Sequence, residues 1–83
     1  MDRQEIIVAV NEACAEVLGA DPSVLTEATS FADDLDADSL ALVEVVMLLE
    51  ERFDLRIPED DLDGVTTIGA AADIVLGRLN ADA

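Results

Sequence analysis

The segment over residues 33–40 holds the densest set of groups that could do chemistry. It reads Asp-Asp-Leu-Asp-Ala-Asp-Ser-Leu, so a hydroxyl, Ser39, follows a run of carboxylates. Three of the aspartates match the first three ligand positions of a calcium-binding EF-hand loop: Asp34, Asp36 and Asp38. That loop also needs a glycine at its sixth position, where this chain has Ser39, and a glutamate at its twelfth, where it has Val45. The spacing argues against an EF-hand, but loose, charge-driven binding of divalent cations stays open.

Two other interpretations of Ser39 follow from its place before an apolar periodic stretch. Aspartate and serine are favoured at helix N-caps, so Asp38 and Ser39 could simply begin a helix. Alternatively, the hydroxyl could be a point of covalent attachment.

Nucleophilic catalysis of the Ser-His-Asp kind is excluded, because the sequence contains no histidine. The only cysteine, Cys14, has no internal disulfide partner, and its helical spacing predicts a place in the core.

Composition and charge restrict the partners. The chain has 83 residues with a formal charge of −16, and it is predicted to form one domain over residues 1–83. Aromatic residues make up only 2% of the chain, so valine, leucine, isoleucine and alanine must build the core, which favours packed helices. The negative charge repels nucleic acid and anionic lipid head groups, so the sequence predicts partners with basic surfaces.

No segment of the sequence reads as a leader or a membrane span. The chain begins with charges of both signs, Asp2, Arg3 and Glu5, and the apolar run over residues 6–10 is too short for either. A lone cysteine fits a reducing compartment. We therefore expect a cytoplasmic protein that does not bind membranes, and we expect it to be monomeric.

Helix signals run through the whole chain. Asp2 with Glu5 resembles a capping box, and an apolar stripe then repeats at helical spacing until Gly19. Residues 20–37 show no helical period, and three apolar residues are expected to fix this segment to the core: Leu25, Phe31 and Leu35. Residues 39–53 form the strongest predicted helix, which begins at Asp38 or Ser39 and ends near Asp54.

The last third of the chain predicts one short and one longer helix. Residues 53–57 alternate like a strand, but no second strand is available to pair with them. Pro58 at the first helical position, followed by three acids, predicts a short helix that ends at Gly64. Thr66 or Thr67 then caps a final amphipathic helix. The predicted fold class is all-α, a small irregular four-helix bundle with three longer helices and one short helix.

Two different stripes follow the strongest predicted helix. One is purely apolar and is assigned to the core: Leu42, Val46, Leu49 and Phe53. The other, here called the mixed face, interleaves apolar residues with carboxylates: Leu40, Glu44, Met47 and Glu51. The mixed face could be a solvated helix side. It also suits a transient contact with a basic, apolar-centred patch on another protein.

A family resemblance accounts for the attachment interpretation of Ser39. The run over residues 35–40 closely resembles the Asp-Ser-Leu attachment motif of the acyl carrier proteins. Other segments fall where that family has them: Phe31 to Leu35, Leu49 to Phe53, Ile57 with Pro58, and Thr66 to Ile68. The resemblance therefore extends over nearly the whole chain.

This resemblance implies a carrier with no catalytic residue and no metal site of its own. A phosphopantetheinyl transferase would attach 4'-phosphopantetheine to Ser39, and the arm would carry acyl groups as thioesters in type II fatty acid or polyketide biosynthesis. Acyltransferase and ketosynthase-type enzymes with basic patches would be the further partners. The implied partner contacts are Asp38, Leu40, Glu44, Met47, Glu50, Glu51 and Ile57.

Several positions depart from the family pattern, among them Ala41 and Leu42, which follow the Ser-Leu pair where polar residues are common. Asp36 stands where the motif usually has glycine; aspartate tolerates a left-handed backbone, but its charge is expected to affect recognition by a general transferase. Ala72 stands where larger aliphatic residues are common, which predicts extra room inside the bundle if Ala72 faces inward. A peptidyl or aminoacyl carrier, and a non-covalent acidic interaction or divalent-cation-binding module, remain the alternatives.

Overall fold

Helices make up most of the computed structural model, which describes residues 2–81. Four α-helices follow in chain order: α1 over Arg3–Leu18, α2 over Ser39–Phe53, α3 over Glu59–Leu62 and α4 over Ile68–Ala81. A short 3-10 turn over Pro22–Val24 lies between α1 and α2. Within the described residues there is no β-strand, and a single isolated bridge joins Ser30 to Thr67. The predicted all-α bundle of three longer helices and one short helix is confirmed.

Local sequence signals set the ends of α1 and α4. Asp2 Oδ1 accepts a hydrogen bond from the Glu5 N–H at 2.9 Å, so Asp2 caps α1 as predicted. Gly19 ends α1 in the left-handed conformation, with φ of 69°. At the start of α4, Thr67 Oγ1 accepts from the Ala70 N–H at 3.1 Å, which identifies Thr67 as the capping threonine.

The short helix α3 differs in detail from its prediction. Pro58 has an extended backbone and is the N-cap, so the first helical residue is Glu59. The helix already ends at Leu62, and Gly64 is not left-handed. Hydrogen bonds of the following turn end it instead, because the Gly64 N–H donates to the carbonyl of Asp61 at 3.1 Å.

Helix α1 lies between α2 and α4 and packs against both. The inner residues of all three helices are buried. The fully buried side chains include Ile6, Val10 and Cys14 on α1, Leu49 on α2, and Ile68 and Val75 on α4. Val46 and Leu49 of the predicted apolar stripe are buried, and Leu42 and Phe53 pack against the core while partly exposed. Val45 is also buried, so the core side of α2 is wider than the predicted stripe. Ala72 faces inward and is fully buried.

The long connection between α1 and α2 is held to the start of α4 by backbone hydrogen bonds. The Phe31 N–H donates to the Thr66 carbonyl at 3.1 Å, and the Gly69 N–H donates to the Glu27 carbonyl at 2.9 Å. The Phe31 side chain is 2% exposed and anchors the segment in the core, as predicted. Leu25 and Leu35 pack against that core at its edge. The segment without a helical period is therefore an ordered part of the fold.

Three arginines connect elements that are distant in sequence. Arg3 joins α1 to α4 and to the long connection, Arg52 joins α2 to α1, and Arg78 joins α4 to α3. Their carboxylate partners are Asp73 at 2.8 Å and Glu27 for Arg3, Glu12 for Arg52, and Asp61 at 2.6 Å for Arg78. No helix in residues 2–81 combines the length and the apolar run that crossing a bilayer would require.

Candidate functional site

Asp38 and Ser39 have separate positions at the start of α2. Asp38 is the N-cap: its backbone is extended, and its Oδ1 accepts from the Ala41 N–H at 2.8 Å. Ser39 is therefore the first helical residue, and it is exposed. Among the described contacts its hydroxyl makes no hydrogen bond to the protein. The oxygen is accessible to a reagent at the end of the helix where backbone N–H groups lack intrahelical partners.

The backbone of Asp36 turns the chain into α2. Its φ of 54° lies in the left-handed region, which the sequence indicated because aspartate replaces a glycine there. The next residue, Ala37, donates its N–H to the carbonyl of Phe31 at 2.8 Å. Phe31 is buried, so this bond ties the approach to Ser39 to the hydrophobic core. Phe31 and Ala37 lie on either side of the left-handed residue Asp36. The hydrogen bond between them therefore links the position of Ser39 to the core.

Two of the aspartates that resemble calcium ligands act on the backbone instead. Asp34 Oδ2 accepts from the Ser30 N–H at 2.7 Å, and Asp38 caps α2. Ser30 Oγ in turn accepts from the Asp33 N–H at 3.1 Å, which closes a small turn. Among the side chains that the structure describes, no group of three or more histidine, cysteine, aspartate or glutamate residues is arranged to hold a metal ion. The local carboxylates shape the entry to α2.

A groove of about 300 Å³ opens beside Ser39. Its larger apolar lining residues are Phe31 on the long connection, Leu42 on α2 and Val65 before α4. Asp38 and Ser39 lie on the same groove. The sequence did not connect Val65 with the site, because the contact depends on how the segment after α3 folds back against α2. The groove offers an apolar surface next to the hydroxyl.

The mixed face of α2 is exposed along its length, as the second stripe predicted. Leu40 is 69% exposed and Met47 is 55% exposed, which is unusual for large apolar side chains. Glu44 and Glu51 are exposed beside them. The face begins directly after Ser39, so the accessible hydroxyl and the exposed apolar residues belong to one surface.

Glu50 and Ile57 have structural roles that their prediction as contact residues did not include. Glu50 Oε2 accepts from the Ile57 N–H at 2.9 Å, so its carboxylate holds the chain that leaves α2. The Ile57 side chain is 8% exposed and belongs to the core. A bond between residues seven apart across a helix end has no sequence signal. Whether either residue also touches a partner stays a prediction.

Cys14 lies in the core, as its spacing predicted. The side chain is fully buried, and loss of water around the thiol raises the pKa of Cys14 to about 11. The thiolate is therefore scarce at neutral pH. The thiol of Cys14 is therefore not accessible to a reagent, in contrast to the exposed hydroxyl of Ser39.

Comparisons with known proteins agree with this arrangement. The family model described as a phosphopantetheine attachment site matches residues 8–75, a range that includes Ser39. An acyl carrier protein of Rubrobacter xylanophilus is 46% identical over 76 residues, which is 92% of this chain and 94% of that protein. The chain belongs to the acyl carrier protein family. A meromycolate extension acyl carrier protein of Mycolicibacterium aurum is 45% identical over 67 residues, covering 81% of this chain and 69% of that protein.

The fold of this acyl carrier protein family member also matches a solved structure. The crystal structure of an acyl carrier protein from Thermotoga maritima superposes with a TM-score of 0.86 at 28% identity, over 100% of this chain and 96% of that chain. Members of this carrier family are in general non-catalytic, and the family match implies a phosphopantetheine group. The acyl carrier role is therefore established at the level of the family.

Proposed function

We propose that Ser39 carries 4'-phosphopantetheine and that the chain shuttles acyl intermediates on this arm in type II fatty acid or polyketide biosynthesis. The observation that supports the proposal is the exposed Ser39 hydroxyl at the first residue of α2, inside the Asp-Ser-Leu motif. When bound, the arm supplies a terminal thiol that holds acyl groups as thioesters. The relative named for meromycolate extension favours fatty acid-type synthesis.

The start of α2 suits a phosphodiester on Ser39. The first turn of a helix has unpaired N–H groups and the positive end of the helix dipole, and both favour a negative group. Asp38 satisfies the Ala41 N–H, which leaves the amides of Ser39 and Leu40 without an intrahelical acceptor. The Asp38 carboxylate would repel the phosphate, so its further use is to hold Mg²⁺ or basic groups of the transferase during attachment.

The groove beside Ser39 gives the acyl chain a place to lie. Phe31, Leu42 and Val65 contribute apolar surface to this groove, and Ser39 lies on it. Covering an acyl chain there would remove apolar surface from water, which stabilises the loaded carrier. Ala72 is fully buried but does not line this groove, so the extra room predicted from its small side chain is not part of the proposed acyl site.

Partner enzymes are proposed to dock on the mixed face. These enzymes are a phosphopantetheinyl transferase and acyltransferase or ketosynthase-type enzymes with basic patches. The chain is proposed to meet them in the cytoplasm as a monomer. Carboxylates of Glu44 and Glu51 would steer a basic patch, while Leu40 and Met47 supply the apolar contact. Asp38, Glu50 and Ile57 remain proposed contacts, and Glu50 and Ile57 present less surface than the mixed face.

The deciding experiment is the intact mass of the chain after incubation with coenzyme A, Mg²⁺ and a broad-specificity phosphopantetheinyl transferase. The wild-type chain should gain the mass of one phosphopantetheine, and the Ser39→Ala variant should gain none. Ser23→Ala is the matched control, because Ser23 is also exposed but lies in the 3-10 turn over Pro22–Val24. This variant should still be modified.

Two alternative functions predict different results. A peptidyl or aminoacyl carrier would also gain the arm, so the acyl group found on the protein as purified separates it from a fatty acid or polyketide carrier. A non-covalent acidic interaction module, or one that binds divalent cations, would gain no mass. Failure of several transferases to modify the wild-type chain would therefore support that module and reject the proposed attachment.

A further inference from the structure

A second surface cleft connects the mixed face of α2 to α1. It measures about 400 Å³, and its lining comes from both helices: Glu16 and Val17 on α1, and Glu44, Met47, Leu48 and Glu51 on α2. Three of these residues belong to the mixed face. The predicted contacts, by contrast, included no residue of α1. The exposed apolar surface around Met47 thus extends beyond α2.

The cleft combines an apolar floor with charged walls. Val17 and Leu48 are partly buried and pack against the core, while Met47 is more than half exposed. A methionine side chain adapts its shape to different apolar partners. Glu16 and Glu44 are exposed at the walls. An apolar side chain that enters the cleft would displace water from the floor, and a neighbouring cation would meet a carboxylate.

The carboxylates of the cleft take part in none of the ion pairs among residues 2–81. Arg52 lies close by on α2, but it pairs with Glu12, one helical turn before Glu16. Arg3 and Arg78 form their ion pairs at other junctions of the fold. The negative charge of the cleft is therefore available to a partner. A second copy of the chain would carry the same net charge of −16. It would be repelled, so it is a poor occupant of the cleft.

We propose that this cleft binds a segment of a partner protein in which basic residues flank a large apolar side chain, so that Glu16 and Val17 extend the docking surface onto α1. The complementarity is one of charge and of apolar area: cations meet Glu16, Glu44 and Glu51, and the apolar side chain contacts Met47. The inference rests on the proposed function for the class of partner, but the binding does not require the arm on Ser39.

The test is a titration of the isotope-labelled chain with a synthetic helical peptide in which arginines flank a leucine, followed by backbone amide shifts. The amides of Glu16 and Val17 should shift together with those of Glu44 and Met47. The Glu16→Lys variant should weaken binding of the peptide roughly fivefold. Lysine near the C-terminal end of α1 also suits the helix dipole, so this variant is expected to fold.

Asp63→Lys is the matched control, because it makes the same change in charge at an exposed residue between α3 and α4. This variant should bind the peptide as the wild type does, within a factor of about two. A peptide with glutamates in place of the arginines should not bind. Equal weakening by Glu16→Lys and Asp63→Lys would overturn the proposal, because the effect would then come from total charge.

Shifts confined to α2, or amide shifts that depend on protein concentration without peptide, would also reject this cleft as a partner site. Mass gain on Ser39 is measured on the same variants. If the amides of α1 do not respond while Ser39 is modified, the cleft proposal fails and the carrier proposal stands. If the amides of α1 respond while Ser39 is never modified, the cleft proposal stands and the carrier proposal fails.

Discussion

The thiol of Cys14 is buried in the core, and its burial couples its ionisation to the stability of the fold. The sequence has no histidine and no tyrosine, and its four basic residues are all arginines, so Cys14 is the side chain that titrates between neutral pH and pH 11. Burial raises the pKa of Cys14 to about 11, which means that the folded state holds the thiol proton more tightly than the unfolded state. The stabilisation is complete below the unfolded pKa of about 9.0 and is lost as the pH rises to the folded pKa of about 11.

We predict that the free energy of unfolding falls by about 2 kcal/mol between pH 8 and pH 11. Urea denaturation at a series of pH values measures this loss. The Cys14→Ala variant is the control, since it lacks the titrating group and its stability should change little over the same range. A decline of the same size in the variant would show that another group is responsible.

The hydrogen bond from the Ile57 N–H to Glu50 joins α2 to the connection before α3. The bond is partly buried and its acceptor is charged, so removal of the carboxylate leaves the Ile57 N–H without its partner. We predict that Glu50→Ala lowers the free energy of unfolding by about 1 kcal/mol. Glu51→Ala removes an exposed carboxylate from the next residue and should change stability by less than about 0.5 kcal/mol.

Chemical denaturation of the two glutamate variants, in parallel with the wild type, measures the difference. If both variants lose the same stability, the helical propensity or charge of this region matters rather than the bond to Ile57. If neither loses stability, Glu50 is free to act mainly as a partner contact. The comparison therefore separates the structural role of Glu50 from its proposed role in docking.

The sequence predicts the elements whose ends have local causes. Asp2, Gly19 and Asp38 each act on backbone groups within four residues, so their positions fixed the bounds of α1 and the start of α2. Ser39 could be chosen for the same reason, because a motif of consecutive residues marks it. Exposure of the mixed face followed from the period of one helix.

Features that depend on contacts between distant segments could not be predicted in this way. The bonds that tie Phe31 and Glu27 to the start of α4 connect residues more than thirty positions apart. Val65 beside Ser39, and Val17 beside Met47, become neighbours only when the helices pack. The composition of one segment carries no information about which other segment lies against it. The sequence therefore named candidate site residues on α2 and next to it, whereas Val65 and Val17 could be placed beside them only from the structure.

Charge is unevenly distributed over the whole molecule. Twenty acidic residues stand against four arginines, and three of those arginines each hold two or more elements together. Salt has two opposite effects on such a molecule. It weakens the ion pairs, which as exposed pairs contribute at most about 1 kcal/mol each, and it weakens repulsion among the many unpaired carboxylates.

Repulsion is the larger of the two effects, because carboxylates greatly outnumber the ion pairs. The molecule measures 33 × 24 × 19 Å, so at 0.1 M salt, with a screening length of about 10 Å, repulsion between carboxylates on opposite sides is largely screened. We predict that the Tm rises between about 10 mM and 500 mM NaCl, by roughly 5 °C if screening adds about 1 kcal/mol. Thermal unfolding followed by circular dichroism measures the shift. Mg²⁺ at matched ionic strength should raise the Tm further, since unpaired carboxylates attract it more strongly than Na⁺. A Tm that falls with added NaCl would show that the arginine ion pairs outweigh the repulsion.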